Sequence, residues 1–574
     1  MVGFALSEQL NEDKKERLPM ATKRILIVGG VAGGATAAAH ARRLSEEAEI
    51  IMFERGPHVS FANCGLPYYI GGEITEKEDL LVQTPEGLRS RFNLDVRVKS
   101  EVVTIDPSNQ KIEILDSDSG NKYWEAYDDL VLSTGASPLK PPIPGIDLKG
   151  HFTVRNIPDI EAIKTWITNH KPIKAVVVGG GFIGLEMVEQ LHLLGLDVTI
   201  VEALPQVMAP LDPEMSAWLH QKLRDKNVGL HLNDPVAKFD NPQSEEGSQA
   251  SIVELKSGQR IPADIVILGL GVRPEIQLGK DAGLVIGDKG GFRVDDFLQS
   301  SVPHIWAIGD AIEVRDFVTG EWALIPLAGP ANRQGRIVAE NIFENSMKYP
   351  GTCGTAILRL FDLTVASTGT NEKTLKTLSI PYDAVHLHPP THASYYPGAT
   401  PLTMKVLFNS QTGKLLGAQM IGKEGVDKRI DVFATAVKAG MTAQDLENIE
   451  LAYAPPFGSA KDPINLAGMV AGHVLKGEVR NCQWHEIATL DPEKTTILDV
   501  RDKDEREEGY IPGSLHIPLP ELRNRFMELE KDREVIAYCQ SGQRSYFASR
   551  FLAQQGFRVK NLTGAYRTWK TATS

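Results

Sequence analysis

The sequence predicts an α/β protein of several units, two of them on the Rossmann plan. Three observations carry this: a strand, glycine-rich turn and helix near the N-terminus, a second copy about 150 residues on, and a separate α/β pattern in roughly the last 90 residues. With 574 residues, 42% hydrophobic and 24% charged, the chain has the usage and length of three or four globular domains rather than a low-complexity or collagen-like chain. No uninterrupted apolar run reaches the 18 residues a bilayer span needs. Lys plus Arg number 61 against 74 Asp plus Glu, a net charge of −13, which argues against nucleic-acid binding because phosphate contacts need clustered cations.

Residues 1–21 are polar after a brief apolar start, lack the h-region of a secretory signal, and are read as an N-terminal extension or tag. The first copy follows: Lys23-Arg-Ile-Leu-Ile-Val, then Gly29, Gly30, Val31, Ala32, Gly33 and Gly34, then an Ala-rich helix closed by Arg42 and Arg43. The second is Ala175-Val-Val-Val, then Gly179, Gly180, Gly181, Phe182, Ile183 and Gly184. Each leads to another strand ending in an acid, Glu54 and Glu202, which lie 25 and 23 residues past the first glycine. Glycines let such a turn approach a pyrophosphate, the helix N-terminus offers free N–H groups, and the acid accepts from ribose hydroxyls. A glycine-rich βα turn also occurs without nucleotide, but two complete copies argue for two dinucleotides. In the first copy Val31 replaces the middle glycine. After Glu202 no Arg or Lys is placed to hold a 2′-phosphate, which favours NADH over NADPH.

Ser133-Thr134-Gly135-Ala136 closes an apolar strand, Leu268-Gly-Leu-Gly271-Val-Arg-Pro echoes it, and Ile305-Trp-Ala-Ile-Gly-Asp310 ends another. From residue 22 to about 470 these segments together resemble the flavoprotein disulfide reductases with two dinucleotide-binding domains. The resemblance implies a fold of two Rossmann-like dinucleotide-binding domains, for FAD (22–145 and 285–345) and NADH (146–284). An α+β dimerisation domain (346–472) and a linker (473–484) would follow. FAD would be held by Gly29, Gly30, Gly33, Gly34, Glu54, Arg55, Ser133, Thr134, Gly135 and Asp310. NADH would be held by Gly179, Gly181, Ile183, Gly184, Glu202 and Gly271, with Phe182 either covering the flavin or packed in a core.

Ser60-Phe-Ala-Asn63-Cys64-Gly-Leu-Pro-Tyr-Tyr69 holds one cysteine where relatives that reduce glutathione or lipoamide carry Cys-x4-Cys. Tyr69 takes the second position, so an internal disulfide is excluded there and a lone thiolate must work through a sulfenic acid, mixed disulfide or persulfide. This is similar to the single-cysteine subgroup of coenzyme A-disulfide reductases, NADH oxidases and NADH peroxidases. His392-Ala-Ser-Tyr395 and Ala452-Tyr453-Ala-Pro-Pro-Phe point to the coenzyme A branch. There the resemblance implies a homodimer in which Tyr395 and Tyr453 reach the partner's cysteine as acids; ordinary aromatic packing is the other reading. Ser60 and Asn63 flank Cys64 as substrate contacts. Arg42, Arg43, Lys428 and Arg429 are either phosphate contacts for coenzyme A or plain surface cations.

From Ile497-Leu-Asp-Val-Arg-Asp to Asn-Leu-Thr-Gly-Ala-Tyr566, residues 485–574 resemble a rhodanese-like α/β domain. Cys539 would be its persulfide-carrying nucleophile, in a loop of Gln540, Ser541, Gly542, Gln543 and Arg544 that binds the substrate. The Cys-x4-Arg spacing is one residue shorter than in related phosphatases, which favours sulfur transfer, and neutral Gln540 in place of Arg suggests a donor less anionic than thiosulfate. Cys353 and Cys482 have no motif and read as structural; no histidine pair suggests a metal. Four cysteines without a signal suit a reducing cytoplasm. The expected function is FAD- and NADH-dependent reduction of persulfides or polysulfides, coenzyme A persulfide among them, releasing sulfide beside a fused sulfurtransferase. Coenzyme A-disulfide reduction, NADH oxidase or peroxidase activity, and a persulfide sensor or carrier without turnover are the alternatives. No nucleic acid or membrane partner is expected.

Overall fold

The computed structural model describes residues 22–241 and 251–574, so the expected extension 1–21 lies outside the described residues. Arg24–Val28 is the central strand of a five-stranded parallel sheet, flanked by Asp129–Leu132 and Glu49–Phe53, with Ile305–Ala307 and Asp95–Arg97 at the edges. Its unbroken apolar run follows from burial on both faces: Ile25, Leu26 and Ile27 are fully enclosed. The helices Ala32–Leu44 and Ala328–Ile342 cross one face, and Gly335 permits their contact, since a Cβ there would sit 2.4 Å from the Gly33 carbonyl oxygen.

Lys174–Val178 centres a second parallel sheet in the order Gly229–His231, Asp197–Val201, Lys174–Val178, Ile265–Leu268, His151–Phe152. An antiparallel ribbon, Ala136–Pro138 with Val272–Pro274, ties the two nucleotide units together. The third unit is α+β: a five-stranded antiparallel sheet from Ala356–Leu360 to Leu415–Gly422, backed by the helix Val426–Lys438, with Pro463–Leu475 packed beside it.

The last unit is a five-stranded parallel sheet in the order Asn481–Cys482, Val559–Leu562, Glu534–Tyr538, Thr495–Asp499, Leu515–His516. Cys482 is in its edge strand and His473–Leu475 finish the preceding helix, so the stretch without helix or strand between the two units is 476–480. Its final helix, Ala565–Thr573, packs on the helix Pro213–Asp225 of the second nucleotide unit. Thr563 Oγ1 accepts the His386 backbone N–H at 2.7 Å, and Thr568 Oγ1 lies 2.9 Å from His388 Nε2. Burial holds His388 far below its ordinary pKa, at about 3, so it meets Thr568 as a neutral ring.

Beneath this junction Lys405, with no exposed surface, reaches Asp212 at 2.9 Å and Glu214 and Glu372 at 2.5 Å. Those carboxylates form the one acidic group among the described residues tight enough to hold a metal ion, and the Lys405 ammonium stands among them instead.

Candidate functional site

Two nucleotide turns of the same geometry open onto one cavity of about 2050 Å³. Gly29 and Gly179 have φ of +98° and +108°, and a Cβ on either would lie 2.1–2.2 Å from a carbonyl oxygen of the neighbouring strand end, Ser133 or Gly269. At Gly34 and Gly184 a Cβ would lie 1.9–2.0 Å from the carbonyl oxygen of that first glycine, so both helices seat directly on their turns. The distal acids repeat the pattern. Glu54 accepts the N–H groups of Gly30 at 3.0 Å and Gly56 at 2.8 Å; Glu202 accepts those of Gly180 at 2.6 Å and Leu204 at 2.8 Å. Each carboxylate is thereby fixed at the lip of its turn with lone pairs to spare.

The cavity fits two extended dinucleotides on this chain's own chemistry. A Cβ on Gly181 would meet open space within 4 Å, so the second turn has room for a bound group. Half-buried Arg155 lines the cavity wall, and its inaccessible Nη1 has no hydrogen-bond partner. Burial pulls its pKa below the ordinary arginine value, with Arg55 adding to that, while Glu275, Glu54 and Asp310 partly offset the cost. Burial in turn raises the pKa of Asp310, which Arg155 opposes. An unpaired guanidinium between two nucleotide turns is a ready partner for a pyrophosphate. Motif reading missed Arg155 because no glycine pattern marks it; the signal available was a lone cation at the boundary of the two units.

Ser133, Gly33, Gly135, Gly271, Phe182 and Ile183 line the cavity, and Gly30 bonds its wall through the Ser60 N–H at 2.8 Å. The Thr134 hydroxyl is committed to the Glu275 carbonyl at 2.6 Å, and exposed Arg55 lies 3.4 Å from the Glu275 carboxylate. Asn63 and Cys64 also face the cavity, in a single turn just before the helix Leu66–Gly71. The cysteine opens to solvent through the cavity mouth, yet burial of its sulfur raises the thiol pKa, with Glu186 and Asp310 adding to the rise.

Glu186 is a second residue missed from the motifs, although it lies one helical turn after Phe182 on the same face. Burial raises its carboxyl pKa to about 7, and the Tyr68 hydroxyl donates to it at 3.4 Å. Tyr68 itself is pushed up to about 12, by burial and then by that carboxylate.

Tyr395 and Tyr453 come together 58 residues apart in sequence, hydroxyl to hydroxyl at 3.1 Å. That hydrogen bond is the first cause of a raised Tyr395 pKa. Both rings are exposed beside Tyr396 and Phe457, and neither lines the Cys64 cavity of its own chain.

The four cations divide. Arg43 and Lys428 are exposed, Arg43 with Nη2 at 3.2 Å from His40 Nδ1. Arg42 and Arg429 are buried, which overturns their reading as phosphate contacts or surface cations. Arg42 donates to the carbonyl oxygens of Phe92, Ser45, Glu46 and Asn93 at 2.6–3.1 Å and stitches the first helix to the next loop. Arg429 forks onto Asp462 at 3.0 and 2.8 Å and also holds the carbonyls of Thr391 and Gly425.

In the last unit Cys539 directly follows the buried strand Glu534–Tyr538, and Gly542, at φ +110°, turns the chain into the helix Gln543–Gln554. The Cys539 Sγ accepts the Gly542 N–H at 3.1 Å and the Ser545 hydroxyl at 3.4 Å. Gln540 Oε1 accepts from Arg501 at 3.3 Å, half-buried Ser541 and exposed Gln543 complete the rim, and Arg544 pairs with Glu505. The two donors to Cys539 converge on the sulfur beside a helix N-terminus.

The comparisons with known proteins agree with this geometry. The family model for pyridine nucleotide-disulphide oxidoreductase matches residues 23–335, its dimerisation domain 355–462, and the rhodanese-like domain 486–572. Coenzyme A disulfide reductase of Staphylococcus epidermidis is 38% identical over 453 residues, 78% of this chain and 99% of the relative. The structure of reduced Bacillus anthracis CoADR-RHD superposes with a TM-score of 0.93 at 50% identity, covering 96% of this chain and 98% of that one. An NAD-dependent persulfide reductase from A. fulgidus gives a TM-score of 0.88 at 36% identity, over 95% and 100%. With the family model covering more than half of the chain and a 38% identical relative matched over almost its whole length, the chain belongs to the pyridine nucleotide-disulphide oxidoreductases, with a rhodanese-like domain over residues 486–572.

Proposed function

We propose that this enzyme uses NADH and FAD to reduce persulfides, coenzyme A persulfide foremost, and releases sulfide, while Cys539 carries sulfane sulfur. One observation carries the reading: free Cys64 faces the dinucleotide cavity, and the free Cys539 sulfur accepts two hydrogen bonds in the loop of the rhodanese-like domain. Neither forms a disulfide, and Cys353 on the wall of the Cys64 cavity is buried and free, so both suit one-sulfur transfers.

FAD would lie along the Gly29 turn toward Arg155 and Asp310, and NADH along the Gly179 turn with Glu202 on its ribose. When bound, the flavin supplies the two-electron link between nicotinamide and sulfur. The Cys64 thiolate attacks the terminal sulfur of the persulfide, the S–S bond breaks, and the thiol leaves. Tyr395 and Tyr453, exposed on the dimerisation unit of a homodimer, would reach the cavity of the other subunit and protonate that leaving group. The Cys64 persulfide, on taking up two electrons and a proton, gives back the thiolate and hydrogen sulfide. Glu186, with its pKa raised to about 7, sets negative charge near Cys64 only when it gives up its proton. Arg43 and Lys428 remain as solvent-facing cations for the coenzyme A phosphates. Four free cysteines suit a reducing cytoplasm, and among the described residues no helix is long and apolar enough to cross a membrane.

Coenzyme A-disulfide reduction is the second reading, favoured by the Staphylococcus epidermidis relative, since Cys64 would attack either sulfur substrate. The test is anaerobic NADH oxidation with coenzyme A persulfide, inorganic polysulfide and coenzyme A disulfide, in wild type, Cys64→Ser and Cys539→Ser, with sulfide quantified. Fast persulfide turnover that yields sulfide and vanishes in Cys64→Ser supports the proposal. Faster turnover of the disulfide, untouched by Cys539→Ser, replaces it with the second reading.

A further inference from the structure

The cation of the Cys539 loop is already engaged. Arg544 donates through both terminal nitrogens to Glu505, at 2.6 Å each, and through Nη1 to Asp502 at 2.9 Å. Glu505 also accepts the Asp502 backbone N–H at 3.0 Å, closing a capping box on the helix Lys503–Glu507, so its position is fixed from two sides. The hydrogen bond from Arg544 holds the Glu505 carboxyl below its ordinary pKa.

Two other guanidiniums nearby share a single carboxylate. Arg501 is buried and forks onto Asp499 at 3.0 and 2.9 Å, and Arg506 reaches the same carboxylate at 3.1 Å. Arg567 holds the Gln540 carbonyl with its backbone N–H, and its charge is felt at His388 of the dimerisation unit. Arg544 itself therefore faces two carboxylates, Asp502 and Glu505, and neutral Gln540 follows the nucleophile.

We infer that Glu505 determines which sulfane donor loads Cys539: by clamping Arg544 and adding its own charge it turns away dianionic thiosulfate and leaves the loop to thiol persulfides. The inference rests on the proposed sulfurtransferase role of Cys539. In the loading step the Cys539 thiolate bonds to the terminal sulfur of the persulfide, the S–S bond breaks, and the thiolate departs with the electron pair. Thiosulfate loads a cysteine by the same substitution with sulfite leaving, also without net redox change, but it brings two negative charges to the rim. For a separation on the order of 6 Å in a water-like dielectric, the charge of one carboxylate acting on a dianion would be equivalent to about tenfold in rate.

The experiment uses the full-length holoenzyme with cyanide as acceptor and thiocyanate as the readout. Thiosulfate and glutathione persulfide are the donors, in wild type, Glu505→Gln and Asp502→Asn. Gln and Asn preserve the capping groups while each removes one charge. The thiosulfate-to-persulfide ratio of kcat/KM is expected to rise about tenfold in Glu505→Gln and less in Asp502→Asn, with both gains shrinking in added salt. An unchanged ratio, or parallel loss with both donors, overturns the inference. If Glu505→Gln fails to fold, Asp502→Asn decides alone, and no rise there overturns it. Absence of thiocyanate from every donor in wild type removes the sulfurtransferase reading and this inference with it. Persulfide transfer with an unmoved ratio removes only the role of Glu505.

Discussion

Replacing Arg429 by methionine tests whether this cation is part of the fold or of a substrate site. Arg429 is 1% exposed, and its guanidinium joins the Asp462 carboxylate to the Thr391 and Gly425 carbonyls. It pairs with Asp462, which caps the helix Pro463–Leu475 directly after the Tyr453 segment, and it holds the Thr391 carbonyl at 2.7 Å, four residues before Tyr395. The two tyrosine loops meet again through the Ala393 N–H and the Gly458 carbonyl at 2.9 Å. Removing one member of a buried ion pair leaves the other charge stranded, which costs about 3–5 kcal/mol. For a cooperative unit of this size that is on the order of a 10 °C fall in Tm. The assay is thermal unfolding followed by circular dichroism, beside kcat and KM for the coenzyme A substrate. Arg429→Met should lower Tm and kcat together as the tyrosine pair loses its anchor. Lys428→Ala, one residue away and exposed, should leave stability within about 0.5 kcal/mol and act on KM. A variant at position 429 with wild-type Tm and a raised KM alone would refute the structural reading and return Arg429 to the substrate.

Three further outcomes are expected. Cys64→Ser should abolish NADH-linked reduction while leaving sulfur loading on Cys539 intact, read by single-turnover thiocyanate release. Glu186 carries a pKa raised from 4.5 to about 7, so between those values the folded protein holds the extra proton and this carboxyl's contribution to stability declines as pH rises; Glu186→Gln should flatten that slope in urea titrations from pH 5 to 8. Lys405→Met should destabilise by at least about 3 kcal/mol, because three carboxylates lose their ammonium, and unfolding of the rhodanese-like domain should shift with that of the rest. Thermal scans that move only one of several transitions would contradict the junction described.

What the sequence made legible was local: glycine turns with their distal acids, the Cys64 and Cys539 segments, and the order of the units. These motifs place backbone, and backbone geometry follows from residues within a few positions. Side-chain destinations were less legible because their partners lie far along the chain, as with Arg155 and with the tyrosine pair. The failure at Arg42 and Arg429 is more instructive, since a signal was present. In the helix Val426–Lys438 the buried positions are Val426, Arg429, Ile430, Phe433, Ala436 and Val437, a 3.6-residue stripe that includes Arg429 and omits Lys428. In the first helix, Ala37, Ala38, Ala41 and Arg42 are buried in the same way, and Arg43 is not. Adjacent cations on a helix point about 100° apart, so a basic pair cannot act as one patch. A cation that falls within the apolar stripe must be desolvated, and desolvation is tolerable only with hydrogen-bond acceptors waiting for it. The period of the flanking apolar residues therefore assigns each member of a basic pair: the one in the stripe belongs to the fold, and the one outside it is free to meet a phosphate.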